Sequence, residues 1–85
     1  MKSFCYKVKV EAGVHARPAG MLSRMAAGFD SSVKIERNGE SVQLEKLLAL
    51  MQMNIRCGDI IKITADGSDE ETAIEKIKAF CEQSL

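Results

Sequence analysis

Residues 12–22 read AGVHARPAGML, and they hold the chain's one histidine, His15, and its one proline, Pro18, with Arg17 between them. Imidazole is a nucleophile and proton carrier near neutral pH. Guanidinium is a permanent charge whose planar fork of donors fits phosphate oxygens. Proline suits the first turn of a helix, where its missing N–H is not needed. His15 is therefore expected just before a helix start. Unpaired backbone N–H groups there carry partial positive charge and bind anions. A cationic neighbourhood favours the neutral, nucleophilic form of the ring. These parts suit an imidazole that receives a phosphoryl group. A surface histidine beside an unrelated arginine has the same composition, and spacing alone does not separate the two.

The rest of the chain restricts other chemistries. Its 85 residues lead to the expectation of one domain spanning residues 1–85. Hydrophobic residues make up 46% and charged residues 28%, an ordinary globular balance. Twelve basic and twelve acidic side chains cancel, so net charge argues for neither nucleic acid nor an anionic membrane. The cysteines Cys5, Cys57 and Cys81 show no C-x-x-C spacing, and with a single histidine they make no metal set. Each reads as a reduced core residue or a surface thiol of a cytosolic protein. The opening MKSFCYKVKV alternates and lacks the apolar run of a signal peptide. No stretch approaches the roughly 18 apolar residues of a membrane span. A cytoplasmic location without membrane insertion is expected. No G-x-x-x-x-G-K-[ST] loop occurs, and no cofactor is expected.

Periodicity supplies the elements. In SFCYKVKV, Phe4, Tyr6, Val8 and Val10 share one face of a half-buried strand. Ala19, Leu22, Ala26 and Phe29 recur at helical spacing after Arg17, and Gly28 falls where such a helix stops. Val33 and Ile35 alternate with charges, Asn38-Gly39 signals a hairpin, and Val42 and Leu44 continue beyond it. Leu47, Leu48, Leu50 and Met51 suggest a short helix, ended by a left-handed residue at Asn54 or Gly58. Ile61, Ile63 and Ala65 mark a last strand, and Asp66-Gly67 turns the chain. Ser68-Asp69-Glu70-Glu71 reads as a capping box before a helix whose inner face carries Ile74, Ile77, Phe80 and Cys81. The order is β-α-β-β-α-β-α. It predicts an α+β fold, an antiparallel sheet with the helices packed on one side.

With this order of elements, GVHARPAG resembles the histidine-containing phosphocarrier (HPr) family of the bacterial sugar phosphotransferase system. The likeness runs through the hairpin, the short Leu47–Met53 helix and the Asp66-Gly67-Ser68-Asp69-Glu70 turn. H-A-R-P-A at this place is a specific signature. The resemblance implies an open-faced β-sandwich, a four-stranded antiparallel sheet with three helices on one face. It implies that His15 accepts a phosphoryl group at Nδ1 from the phosphoenolpyruvate-dependent Enzyme I and passes it to a sugar-specific Enzyme IIA. Arg17 would contact the phosphoryl group, and the backbone at Ala16 and Arg17 would supply helix-start N–H groups. A monomer is expected, with a strand-exchanged dimer through the first strand left open, and the role is that of a stoichiometric relay rather than an enzyme. The alternative is a regulatory binding module of the same family, whose phosphorylation state signals, as in nitrogen-linked branches.

Docking should use an apolar patch beside the histidine, formed by Met21, Leu47, Leu48 and Met51 and ringed by Arg17, Arg24 and Lys46. Leu50 reads as core. Leu47 and Met51 are evenly balanced between core and docking, since exposed methionine-rich patches serve several partners. Lys46 departs from the family, which usually carries a serine there. In many Gram-positive members an ATP-dependent kinase phosphorylates that serine. Lysine offers no such regulatory site and no side-chain oxygen to cap the short helix. Gly20 is expected to loosen its helix by up to about 1 kcal/mol relative to alanine. Asn54 replaces a frequent glycine, which a left-handed backbone tolerates.

Overall fold

The computed structural model describes residues 1–85. Its elements run β1 (Lys2–Lys7), α1 (Ala16–Ala27), β2 (Ser32–Arg37), β3 (Glu40–Gln43), α2 (Leu47–Gln52), β4 (Ile60–Asp66) and α3 (Glu70–Ser84). The strands form one antiparallel sheet in the order β1-β4-β2-β3. This is the expected α+β open-faced sandwich. Strand alternation sends Ile61, Ile63 and Ala65 of β4 and Val33 and Ile35 of β2 inward, while Lys34, Glu36 and Lys62 stay exposed. Ile63 lies opposite Ile35 on one side and Phe4 on the other. The helices bring Ala19 and Leu22 from α1, Leu50 from α2, and Ala73, Ile77, Phe80 and Cys81 from α3 to the same core. Burial pushes the Cys81 thiol up to about 12, which leaves it protonated and inert at neutral pH.

The Asn38-Gly39 hairpin forms as expected. Both residues take positive φ, 53° and 84°, the combination that matches the twist of two antiparallel strands. Asn54 and Gly58 are both left-handed as well. Two expectations need correction, the extent of the first strand and the capping box before α3. The first strand ends at Lys7 rather than Val10, because β4 begins only at Ile60 and offers no partner beyond it. The Val8 N–H then donates to the Asp59 carbonyl, and the N–H groups of Lys9 and Val10 turn to that of Leu85. Phe4 and Tyr6 are only half-buried, as β1 is an edge strand. Gly28 closes α1 as expected, with right-handed backbone at φ −83°.

The capping box does not form around Ser68. Asp69 is the N-cap of α3, and its side chain makes no cap hydrogen bond. Glu70 reaches back instead, accepting from the Gly67 N–H at 3.2 Å. The Asp69 carboxylate turns away from its own helix to the start of β2. There it accepts from the N–H groups of Asp30 at 2.8 Å and Ser31 at 2.9 Å and from the Ser31 hydroxyl.

Candidate functional site

The loop from β1 to α1 is fixed by its backbone. Gly13 has φ +65° and lies so close to Ile55 and Arg56 that a Cβ would strike the Ile55 carbonyl oxygen. The Val14 N–H donates to that same oxygen at 3.0 Å, and the Val14 side chain is buried. His15 follows as the N-cap of α1, in extended conformation at φ −98° and ψ −174°. Its carbonyl accepts the Ala19 N–H at 2.9 Å. Its imidazole makes no cap hydrogen bond and is exposed. The ring is therefore aimed outward by main-chain contacts that leave both its nitrogens free.

The charge around it is one-sided. The first turn of α1 has no acidic residue. The N–H groups of Ala16 and Arg17 head the helix, where no preceding turn supplies carbonyls. Arg17 is exposed and takes part in none of the molecule's ion pairs. Pro18 sits buried in the first turn, as its fixed φ favours.

His15 lines two separate surface depressions. One, about 290 Å³, is lined by His15, Arg17, Pro18, Met21, Phe80 and Ser84. The other, about 320 Å³, is lined by Ala12, Val14, His15, Ala16, Met51, Asn54, Ile55 and Arg56. The structure thus brings Met21 and Met51 to the histidine, one in each depression. Lys46, Leu47 and Leu48 line a third depression, which His15 does not share. Arg24 is exposed in the last turn of α1 and lines none of these depressions.

The balanced reading of Leu47 and Met51 resolves towards the surface. Leu47 is 40% exposed, Met51 38%, Met21 44% and Leu48 71%, while Leu50 is 1% exposed. Alpha-helix α2 is tied to α1 by the Ser23 hydroxyl, which donates to the Glu45 carbonyl at 2.6 Å. Lys46 occupies the N-cap of α2 and makes no side-chain cap bond there. Sequence reasoning did not place Phe80, Ser84 or Arg56 beside the histidine. They come from the end of α3 and from the loop before β4, and no local pattern links those segments to residue 15.

Comparison with known proteins agrees with this architecture. A family model described as the PTS HPr component phosphorylation site matches residues 2–83. The phosphocarrier protein HPr of Mycoplasma genitalium is 40% identical over 85 residues, covering 99% of this chain and 97% of that protein. The solved structure of a mycoplasma histidine-containing phosphocarrier protein is similar with a TM-score of 0.94 at 34% identity, over 98% of this chain and 94% of that one. An HPr from Thermoanaerobacter tengcongensis gives 0.93 at 30% identity, over 98% and 93%. The class these features define is a small α+β carrier domain with its histidine at a helix start. The chain belongs to the HPr family, the phosphocarrier proteins of the phosphotransferase system.

Proposed function

We propose that His15 is the phosphoryl acceptor of this phosphocarrier, charged by Enzyme I and discharged to Enzyme IIA components. The observation that carries the reading is an exposed imidazole with no hydrogen-bond duty, at a helix start without acidic residues. In the loading step the Nδ1 lone pair attacks the phosphorus held on the donor's histidine. The new N–P bond forms as the donor's N–P bond breaks, and that electron pair stays on the donor imidazole. Unloading is the same exchange with this chain as donor. Transfer of this kind depends on positioning and on charge stabilisation. The Ala16 and Arg17 N–H groups and the Arg17 guanidinium supply the second, and the rigid loop at Gly13–Val14 supplies the first.

Met21, Leu47, Leu48 and Met51, with Arg17, Arg24 and Lys46 around them, form the docking face for both partners. Exposed apolar side chains rimmed by cations suit acidic partner surfaces. The protein acts as one cytoplasmic domain and as a monomer, without a cofactor. Lys46 leaves the docking face with a fixed positive charge, so a serine kinase acting with ATP finds no substrate hydroxyl at that position.

Incubation with phosphoenolpyruvate and Enzyme I, followed by intact-mass measurement, tests the assignment. The wild type should gain one acid-labile phosphoryl group, and His15→Ala should gain none. Acid-labile labelling of that variant would overturn it.

A further inference from the structure

We infer that Arg56 is a second phosphoryl-binding cation, serving phosphorylated His15 from the depression that Arg17 does not line. The inference rests on His15 being the acceptor. The two depressions that share His15 hold one arginine each, Arg17 in the first and Arg56 in the second. No carboxylate side chain lines either of them. Arg56 is exposed, and its guanidinium enters no ion pair.

Its backbone is held tightly. The Arg56 N–H donates to the Asp59 carboxylate at 2.9 Å, and Arg37 occupies the same carboxylate at 3.2 Å. The neighbouring Ile55 carbonyl accepts the Val14 N–H, one residue before His15, and Gly13 lies against the Arg56 Cα. A long cationic side chain is thus anchored at its base beside the histidine loop, while its head is free. A phosphoryl group on His15 carries up to two negative charges, and besides His15 itself the only charged side chains lining the two depressions are Arg17 and Arg56. Arg56 then favours the dianionic phosphoryl group, holds it against random rotation and slows its loss to water.

The test uses the isolated phosphorylated protein, prepared with phosphoenolpyruvate and Enzyme I and then separated from that enzyme. The ³¹P NMR titration of the phosphoryl group is compared in wild type, Arg56→Gln and Arg56→Lys. Removal of a cation near the phosphoryl oxygens should raise the ionisation midpoint in Arg56→Gln by about 0.3–0.5 pH unit. Arg56→Lys should keep the midpoint close to wild type, and added salt should shrink the shift seen in Arg56→Gln. Hydrolysis of the phosphohistidine should quicken about two-fold in Arg56→Gln, as one Coulombic contact at a wet surface allows. Thermal melting of the variants should match wild type, which keeps folding out of the comparison. A phosphorylated Arg56→Gln with wild-type midpoint and lifetime overturns this proposal and leaves the role of His15 standing. A wild type that takes up no acid-labile phosphoryl group overturns both.

Discussion

Helix α1 joins two polar sites that are built in opposite ways. Just past its C-terminal end, the Asp69 carboxylate receives three hydrogen bonds from Asp30 and Ser31. These hold the Asp69 carboxyl below the usual carboxylate range, the Ser31 hydroxyl being the largest cause. At its N-terminal end, the His15 imidazole receives none, although it occupies the cap position. One end spends a charged side chain on joining two segments. The other holds its segment with backbone contacts alone, at Gly13, Val14 and Ile55, and leaves the side chains unpaired. A satisfied polar group contributes to stability, and an exposed, unsatisfied one is available to a ligand.

The strongest way to break the contrast is Gly13→Ala. A Cβ there meets the Ile55 carbonyl and the Arg56 Cα, and alanine is strained at φ +65°. Urea unfolding should show a loss of about 3 kcal/mol from overpacking and backbone strain together. Phosphoryl uptake should fall with it, since the same contact aims His15. A Gly13→Ala variant with wild-type stability would mean that backbone packing does not hold this loop.

Asp69→Asn acts on the opposite end. The carboxyl titrates lower in the folded chain than its ordinary 3.8. Its contribution is therefore complete above that value and is lost as the pH falls through the depressed folded value. At neutral pH the variant should unfold at lower urea than wild type. In acid well below 3.8 the two midpoints should converge. Phosphoryl transfer at neutral pH should stay within two-fold of wild type, an order-of-magnitude bound expected of a site that only supports the scaffold (about 0.4 kcal/mol). A difference in urea midpoint that does not change with pH would remove Asp69 from the comparison.

Arg17→Lys sharpens the contrast from the functional side. It keeps the charge and loses the planar fork, so transfer should slow about ten-fold while stability stays within about 0.5 kcal/mol. Stopped-flow transfer and thermal melting check the two halves, and unchanged transfer would remove Arg17 from direct contact. Gly20→Ala carries the smallest effect. A Cβ at Gly20 meets nothing within 4 Å, so alanine should stabilise α1 by about 0.4–1 kcal/mol. A loss of stability there would contradict the open space beside α1.

What was legible in the sequence was local. Asn38-Gly39, the alternation of β2 and β4 and the helix start at His15 each depend on neighbours a few residues apart. So did the surface placement of Met21 and Leu48, which fall off the inner stripes of their helices. The failures were non-local. The clasp of Asp69 on Ser31 joins residues 38 apart, while its motif by itself matches a cap for its own helix. The end of β1 at Lys7 follows from where β4 begins, which the β1 sequence does not carry. Arg56 lines a depression with His15 because Gly13 packs on the loop before β4, a contact without periodicity.

Long-range ¹H–¹⁵N spectra of the imidazole decide whether the unpaired ring of His15 takes the phosphoryl group. Spectra are recorded before and after loading from phosphoenolpyruvate and Enzyme I. A phosphorus coupling and a large shift are expected at Nδ1 of His15, with the Asp30 and Ser31 amides unmoved. An acid-labile phosphorylated protein whose His15 ring nitrogens show neither would contradict it.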